Sequence, residues 1–342
     1  MIAIVGGGLA AAKTVEAYRA AGGIDEIVVW SQDPRGPYHR PGLSKRVLRG
    51  EAPPESVLIE LEGAELRFER LDALPDADVV VIATGARPRV LEGALPLRTL
   101  DDSLELRRRA ESAKSAVVVG GGFIGCEVAA SLTQLGVQVT HVVREPTLFP
   151  LLGCPPLSRM LEETFRANGV DLRLETSDIP DADMVVAGVG VEPNVELARD
   201  AGLEVRNGVV VNERFETSRP GVYAVGDVAE FLDPVFGRHR RIEHWSNAAY
   251  HGTTLGQILA GEDARYDTVS AFFSEQFGNV FKSFGDPTGH DDTSLDGDFH
   301  DERAVYRFLR GGTAVGAVAK GLDDGEEQAL KDEIRAGAAA RA

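Results

Sequence analysis

Residues 1–12 read MIAIVGGGLAAA, and this stretch decides the fold of the first part of the chain. Residues 2–5 form a short continuous apolar run, which is typical of a strand buried within a parallel sheet. Three glycines follow at once, and residues 9–21 favour a helix, with polar residues spaced about three apart. Residues 26–30 then predict the next strand. The sequence therefore predicts a βαβ unit with parallel strands.

The turn between that strand and helix carries the pattern G-x-G-x-x-A, with Gly6, Gly8 and Ala11 at its fixed positions. The first glycine permits a tight turn, the second lets the backbone approach a pyrophosphate, and the third position must be small for the helix to contact the strand. The amino end of the helix offers unpaired N–H groups and a positive dipole to phosphates. We therefore expect a dinucleotide to contact Gly6, Gly8, Leu9, Ala10 and Ala11.

The chain repeats this unit. GGGLAA at 6–11 recurs as GGGFIG at 120–125, and DADVVVIATGARPRV at 76–90 is echoed by DADMVVAGVGVEPNV at 181–195. Two repeats in the same order predict two copies of one Rossmann-like, doubly wound dinucleotide-binding domain, an α/β fold. The second copy has predicted strands at 116–119 and 137–143 and a predicted helix at 123–135. Its candidate nucleotide contacts are Gly120, Gly122, Phe123, Ile124, Gly125 and Gly190.

Composition narrows the class of protein. Of 342 residues, 54 are acidic and 36 are Lys or Arg, which gives a net charge of −18. Such a charge repels phosphate backbones and anionic lipid, so we expect neither a nucleic-acid nor a membrane partner. No apolar run reaches the ~18 residues of a membrane span, and no charged leader precedes an apolar stretch. We expect a cytoplasmic protein. The seven histidines show no metal-ligand spacing, so we expect no metal site.

The pattern changes near residue 270. Short β-like runs separated by Gly- and Asp-rich turns are followed by a helical stretch at 325–336. A small α+β domain is therefore predicted at the C-terminal end, with strands at 280–284, 304–309 and 313–319.

A third motif, GVYAVGD at 221–227, ends a predicted strand in Gly226 and Asp227. A carboxylate at this point can bond ribityl hydroxyls, with the amino end of a helix near a pyrophosphate. Two dinucleotide sites on one chain then indicate an electron relay, with a flavin dinucleotide in one domain and a nicotinamide dinucleotide in the other.

On these motifs the chain resembles the FAD-dependent NAD(P)H:ferredoxin reductases that serve oxygenases and cytochromes P450, to which apoptosis-inducing factor is related. The resemblance covers nearly the whole chain. Besides the segments quoted above, it is carried by PYHRPGLSK (37–45), LRTLDDS (97–103), GGGFIGCEVAASL (120–132), EHWSNAAYHG (243–252) and FFSEQFG (272–278). It implies FAD and NAD(P)H as cofactors and a small [2Fe–2S] ferredoxin as partner.

The resemblance also implies particular site residues. Lys45 matches a residue near the reactive N5 edge of the flavin, and Glu127 matches a carboxylate that pairs with it; these two are the candidate catalytic residues. A cation near N5 would stabilise the negative charge of reduced flavin. The other implied flavin contacts are Asp33, Arg40, Ala83, Thr84, Gly85, Arg98, Asp227, His244 and Trp245.

The implied domains are an FAD domain in two segments, 1–102 and 215–268, an NAD(P)H domain at 103–214 and the α+β domain at 269–342. The chain departs from the family in two ways. Only 40 residues separate Lys45 from Gly85, and 27 separate Gly153 from Pro180, intervals in which relatives carry an extra β-meander. FFSEQFG also has Ser274 where relatives often have tryptophan.

The nicotinamide preference is predicted from the strand that ends at Val143. NADH enzymes usually have an acidic residue at that place, whereas here Arg144 follows and could pair with a 2′-phosphate. This slightly favours NADPH. A shift of one or two residues would instead give Glu145 the acidic role.

The only cysteines, Cys126 and Cys154, lack the spacing of a flavin-proximal pair, so dithiol chemistry is excluded. The leading prediction is electron transfer to a ferredoxin that serves an oxygenase or P450. Two alternatives stay open: a reductase of quinone, dye or oxygen, and a redox-responsive flavoprotein like apoptosis-inducing factor. The oligomeric state is also open, with a homodimer as one option.

Overall fold

The computed structural model describes residues 1–339, so the last three residues of the predicted C-terminal domain lie outside the described part of the chain. The strands are β1 (Ile2–Val5), β2 (Ile27–Trp30), β3 (Glu65–Arg67), β4 (Val79–Ile82), β5 (Ala86–Pro88), β6 (Ser115–Val119), β7 (Gln138–Val142), β8 (Asp171–Arg173), β9 (Met184–Ala187), β10 (Val191–Pro193), β11 (Val209–Val211), β12 (Val222–Ala224), β13 (Ala229–Asp233), β14 (Arg238–Arg240), β15 (Ala271–Gln276), β16 (Asn279–Gly285), β17 (Asp292–Gly297), β18 (Ala304–Arg310) and β19 (Thr313–Lys320). The α-helices are α1 (Leu9–Ala20), α2 (Leu100–Ala110), α3 (Phe123–Gln134), α4 (Pro155–Ala167), α5 (Glu196–Asp200), α6 (Trp245–Leu259) and α7 (Asp324–Ala339).

The chain forms two compact units. The first consists of Met1–His39, Val57–Arg87 and Glu192–Thr268, and the second of Arg40–Ser56, Pro88–Val191 and the segment that begins at Val269. The predicted boundaries of three domains stay a prediction. Within the second unit, however, the C-terminal segment and the second nucleotide-binding segment belong to one compact body.

The first unit contains a parallel sheet in the order β12-β4-β1-β2-β3. Ile4 on β1 lies opposite Val29 on β2 and Val81 on β4, and all three are fully buried, as expected of strands covered on both faces. The chain leaves β1 for β2 on one side and later adds β4 on the other. Ligands of open α/β sheets bind at the carboxyl ends of the strands at such a switch point, and Gly6 follows β1 there.

Helix α6 packs very closely on α1 in this unit. A Cβ at Gly252 would lie 2.3 Å from the carbonyl oxygen of Ala10, and one at Gly256 would lie 2.4 Å from that of Thr14. Only glycine permits this approach, so α6 supports the first turns of α1 directly. A separate three-stranded sheet, β11-β13-β14, completes the unit.

The second unit contains a parallel sheet, β8-β7-β6-β9, and an antiparallel sheet, β15-β16-β19-β18-β17, with α7 after its last strand. Aromatic side chains join the two. Phe123 at the start of α3 lies 4.9 Å from Phe272 on β15 and 5.1 Å from Phe149, which in turn lies 5.3 Å from Phe281 on β16, between ring centroids. These contacts are of the edge-to-face or tilted kind that aromatic pairs prefer.

The predicted repeat is confirmed in detail. The bounds of α3 are those of α1 shifted by 114 residues, and the bounds of β9 and β10 are those of β4 and β5 shifted by 105. One pair of aspartates shared by the two echoes, Asp78 and Asp183, has the same structural role in both copies. Asp78 binds the amino terminus of Met1 at 2.7 Å, and Asp183 accepts the backbone N–H groups of Lys114 and Ser115 at 2.7 and 3.0 Å. Each aspartate thus fixes the start of a central strand.

The predicted strands and helices are confirmed to within about three residues at their ends. Strand β17 was not predicted, because it is an edge strand with mostly exposed residues and lacks the alternating pattern. Among the described residues, the intervals 68–78 and 174–183, which lead into β4 and β9, contain no strand. Both sheets therefore lack the β-meander, as the short intervals predict.

Candidate functional site

The first glycine-rich turn has the geometry of a phosphate cradle. Gly6 has φ +116°, and a Cβ on it would lie 2.2 Å from the carbonyl oxygen of Ala83. A Cβ on Gly8 would instead meet no atom within 4 Å. Gly8 caps α1 without a side-chain hydrogen bond, and the first turn has no acidic residue. The first backbone N–H groups of α1 have no acceptor within the helix, so they and the helix dipole can bind a pyrophosphate placed in the open space beside Gly8.

The second turn repeats this geometry in the second unit. Gly120 has φ +111°, and Gly122 caps α3 with open space where its Cβ would point. Gly125, however, has no room for a side chain, since a Cβ would lie 1.9 Å from the carbonyl oxygen of Gly120. Ile124, in the first turn of α3, is partly exposed. The predicted second nucleotide site thus has the same backbone conformation as the first, with a close contact between Gly125 and the carbonyl group of Gly120.

One residue at the second turn was missed by the sequence analysis. His141 on β7 is fully buried, and its Nε2 lies 2.9 Å from the carbonyl oxygen of Gly120. Burial lowers the pKa of this imidazole to about 4, so the neutral ring donates from Nε2. The sequence did contain a hint, since His141 is a polar residue within the valine-rich segment 137–143. Hydrophobic periodicity alone, however, predicts only that such a residue belongs to the core.

The two turns can be aligned through the residues that touch their middle glycines. A Cβ on Gly7 would lie 2.4 Å from Cβ of Ser31, and one on Gly121 would lie 2.6 Å from Cγ1 of Val143. Ser31 and Val143 are therefore equivalent positions directly after β2 and β7. Counting onward by two residues makes Asp33 the equivalent of Glu145.

These two acidic residues have different partners. Asp33 accepts hydrogen bonds from the Tyr38 hydroxyl at 2.5 Å and from the Arg35 N–H at 3.0 Å. Glu145 lies 3.0 Å from the Arg144 guanidinium, whose side chain is 82% exposed. Arg144 is thus on the surface and already paired with the residue that occupies the acidic place.

The segment after β4 is tied to the segment after β10 within the first unit. The Thr84 hydroxyl donates to the carbonyl oxygen of Asn194 at 2.8 Å, and the Asn194 amide donates to that of Thr84 at 2.8 Å. The Asn194 N–H also donates to the carbonyl of Gly85 at 2.9 Å. Asn194 was quoted in GVGVEPN but given no role, because its partners are 110 residues away.

The Gly226-Asp227 motif is held by a second buried histidine. Gly226 has φ +77°, and its N–H donates to Nδ1 of His251 at 3.3 Å. His251 is enclosed by the rings of Phe215, Phe231 and Tyr266, and burial lowers its pKa to about 3. The ring is therefore neutral, and its placement directs the turn that carries Asp227.

His244 and Trp245 begin helix α6. Burial lowers the pKa of His244 to about 4 even though nearby Asp227 acts in the opposite direction. The Trp245 indole is 42% exposed and donates from Nε1 to Nδ1 of His39 at 2.9 Å. The hydrogen bond orients a ring that stays partly exposed, which suits a residue that would stack on a planar ligand.

Lys45 and Glu127 form a buried ion pair in the second unit. Lys45 Nζ lies 2.5 Å from Glu127 Oε2, and the two side chains are 8% and 6% exposed. Glu127 also accepts from the Ser44 hydroxyl and, at 2.6 Å, from the Ser274 hydroxyl. Lys45 donates further to the carbonyl of Pro41 at 3.2 Å. Such a pair is tolerable in a low dielectric only because its remaining hydrogen-bonding capacity is filled.

The two arginines implied by the resemblance lie in the second unit as well. Arg40 begins a short 3-10 turn, Arg40–Gly42, and is partly exposed. Arg98 is also partly exposed, and its N–H donates to Asp102 at 2.9 Å, just before α2. Contact of either residue with a flavin stays a prediction.

Neither cysteine is suited to thiolate chemistry. Cys126 and Cys154 are buried, and burial raises both thiol pKa values, that of Cys154 to about 12. Their sulfurs stay protonated at neutral pH, which agrees with the exclusion of dithiol chemistry. Within residues 1–339, no helix is long and apolar enough to cross a membrane.

Comparison with known proteins agrees with this arrangement. The family model described as pyridine nucleotide-disulphide oxidoreductase matches residues 1–178 and 177–252. Putidaredoxin reductase of Pseudomonas putida is 33% identical over 85% of this chain and 81% of its own length. The ferredoxin–NAD(+) reductase component of the p-cumate 2,3-dioxygenase system of Pseudomonas putida is 34% identical over 80% and 78%.

A solved structure is similar throughout. The crystal structure of the covalent putidaredoxin reductase–putidaredoxin complex matches with a TM-score of 0.92 at 30% identity, covering 98% of this chain and 93% of that one. The ferredoxin reductase for the CYP199A2 system from Rhodopseudomonas palustris matches with a TM-score of 0.88 at 28% identity, covering 94% and 91%.

Proposed function

The chain belongs to the pyridine nucleotide-disulphide oxidoreductase family, and from that premise we propose that it is a FAD-containing ferredoxin reductase that oxidises NADH. Electrons would pass singly to a small [2Fe–2S] ferredoxin that serves an oxygenase or a cytochrome P450. Relatives with these named activities support the proposal. The buried Lys45–Glu127 pair, whose lysine the resemblance places near the reactive edge of the flavin, is the observation that carries it.

The residues fit the two cofactors that the family implies. Both helices α1 and α3 begin without a side-chain cap and with open space at Gly8 and Gly122. By contrast, α2 begins with a capping box in which Thr99 and Asp102 satisfy its end. The N-cap residues of α1 and α3 are glycines with open space where a side chain would point, so the first N–H groups of both helices are left for an anion.

We assign FAD to the turn at Gly6–Ala11, with Asp33 toward the adenosine and Asp227 toward the ribityl chain. When bound, FAD accepts two electrons from a nicotinamide and releases them one at a time. Lys45 would hold a positive charge that favours the reduced form, and Glu127 would keep the ammonium in place. The partly exposed Trp245 would cover a planar ring.

For the second turn we propose NADH rather than NADPH. The predicted lean toward NADPH rested on Arg144, and the relatives, which are named NAD(+) reductases, do not support it. Glu145, the equivalent of Asp33, can accept hydrogen bonds from ribose hydroxyls. Its carboxylate would also repel a 2′-phosphate, while Arg144 is already paired with it.

A small ferredoxin is the proposed electron acceptor. The partners named for the relatives favour a ferredoxin, and the buried cysteines with raised pKa values oppose a disulfide substrate. A quinone or oxygen reductase and a redox-responsive flavoprotein are retained as outcomes of the test. Location in the cytoplasm and a homodimer stay predictions.

The proposal is tested on the purified protein and on variants of the ion pair. We expect one FAD per chain, rapid anaerobic reduction by NADH, and reoxidation by a [2Fe–2S] ferredoxin at least ten times faster than by a quinone or oxygen. Lys45→Met should retain FAD but slow its reduction, and Glu127→Gln should do so less. The control is Lys114→Met, which removes an exposed lysine of the same unit. A protein without FAD, or one that quinone reoxidises faster than ferredoxin, would contradict the proposal.

A further inference from the structure

Strand β15 supplies a second layer of residues behind the buried ion pair. Ser274 and Gln276 both point to the same side of β15, as alternate residues of a strand do, and they are 0% and 1% exposed. Gln276 Nε2 donates to Ser274 Oγ at 2.6 Å, and Ser274 Oγ donates to Glu127 Oε1 at 2.6 Å.

The hydrogen bonds of this layer have a fixed direction. An amide nitrogen only donates, so Ser274 must accept from Gln276 and can give its single proton to Glu127. The second carboxylate oxygen of Glu127 then takes the Ser44 proton and the Lys45 ammonium. Every donor has an acceptor when Glu127 is ionised, which makes this arrangement self-consistent.

Gln276 has a further property that points to a role beyond packing. Its Oε1 is buried and has no hydrogen-bond partner among the described residues. An unpaired buried carbonyl opposes stability, so a side chain retained only for folding would be apolar here. The Gln276 amide is therefore used for its donor, which faces Ser274.

We propose that Ser274 and Gln276 are positioning residues that act through Glu127 on Lys45. The inference rests on the proposed function, because Lys45 is taken to act on a bound flavin. Ser274 orients the Glu127 carboxylate, and Gln276 orients the Ser274 hydroxyl.

The test uses the FAD-loaded protein and three variants. Ser274→Ala removes the donor to Glu127, and Gln276→Leu removes the donor to Ser274 while keeping the volume similar. Ser158→Ala is the matched control, since Ser158 is another buried serine of this unit, whose hydroxyl donates to the carbonyl of Leu148 at 2.7 Å. The measurements are FAD content, melting temperature, the limiting rate of flavin reduction by NADH, and the flavin midpoint potential from dithionite titration.

We expect Ser274→Ala to retain FAD, to lower the limiting reduction rate about 10-fold, as for loss of a hydrogen bond to a charged group, and to shift the midpoint potential to a more negative value, in the direction of Lys45→Met. Gln276→Leu should change both quantities in the same direction by less. Ser158→Ala should change neither. A merely structural role would lower the melting temperature and leave the potential in place.

The inference is overturned if Ser274→Ala and Gln276→Leu keep the wild-type rate and potential while the wild type itself is reduced by NADH. In that case the proposed function survives and only the positioning role fails. If the wild type binds no FAD or is not reduced by NADH, the proposed function and this inference fail together.

Discussion

The two glycine-rich turns share one backbone but close on their sheets in different ways. The first copy has Ala11 and Ala83 at two positions where the second copy has Gly125 and Gly188. A Cβ on Gly188 would lie 2.6 Å from the N atom of Gly125. Two methyl groups of the first copy are thus absent in the second. The backbone of α3 at Gly125 therefore lies directly against the backbone of Gly188, just after β9.

A histidine accompanies the closer approach. His141 bonds the carbonyl of Gly120, whereas Val29, the equivalent residue of the first copy, is apolar and buried. The two turns therefore share the glycine motif and differ in the residues behind it, where the second turn has a histidine hydrogen bond and a closer backbone contact.

The largest effects are expected from substitutions that block the phosphate position of one glycine-rich turn and leave the other intact. Valine at Gly8 or at Gly122 would occupy open space, so the fold should persist while the phosphate position is blocked. The Gly8→Val variant should lose FAD. The Gly122→Val variant should retain FAD, but the rate of its reduction by NADH should fall at least 100-fold. Absorbance at the flavin band and stopped-flow reduction measure this. Full FAD occupancy in Gly8→Val would refute the assignment of the first turn.

The closer packing at the second turn predicts an asymmetry. Gly125→Ala should destabilise the protein by about 1–3 kcal/mol, because an added methyl overlaps the Gly120 carbonyl. Ala11→Gly should cost about 1 kcal/mol from helix propensity alone and leave NADH binding unchanged. Thermal denaturation and the Kd for NADH in each variant give the answer. Equal NADH binding in both variants would show that the closer contact is irrelevant to the nucleotide.

The equivalence of Glu145 with Asp33 predicts the nicotinamide preference. Glu145→Gln should reduce kcat/KM for NADH about 10-fold and raise that for NADPH, because the ribose loses an acceptor and the repulsion of a 2′-phosphate disappears. Arg144→Ala should change the NADH value little, since the guanidinium is exposed. Steady-state kinetics with both nucleotides would decide the point. A greater loss with NADPH than with NADH in Glu145→Gln would reverse the assignment.

The smallest effect concerns His141. His141→Val copies the first turn, and it should raise the Kd for NADH a few-fold without changing FAD content. The pKa of His141 is lowered to about 4 in the fold, so the unfolded chain takes up its proton first. Above about pH 6.5 the ring is neutral in both states, so its protonation does not lower the free energy of unfolding. As the pH falls from about 6.5 toward 4, protonation of the unfolded chain lowers the free energy of unfolding. Melting temperatures from pH 8 to 4 should fall less steeply in His141→Val, and parallel curves would contradict this.

Local patterns predicted the βαβ units and both turns because a strand, a glycine turn and a helix are encoded within about 30 adjacent residues. The contact between Lys45 and Glu127 was predicted from the resemblance, since no local pattern links residues so far apart. No role was predicted for His141, Asn194 or Ser274, for the same reason. Each acts on a partner that only the folded sheet brings near, and each looks locally like an ordinary strand or loop residue.

The unequal shifts of the repeat, 114 residues at the helices and 105 at the later strands, have an evolutionary consequence. If one ancestral gene segment was duplicated and fused, later insertions and deletions fell between the helix and the fourth strand, while the pieces that border the nucleotide stayed in phase. In the first copy that interval holds the segment with Lys45, and in the second it holds α4. Such a duplication would have kept the glycine-rich turn in both copies and let the interval between the helix and the fourth strand diverge. Divergence in that interval would allow two copies of one nucleotide-binding domain to take on different functions.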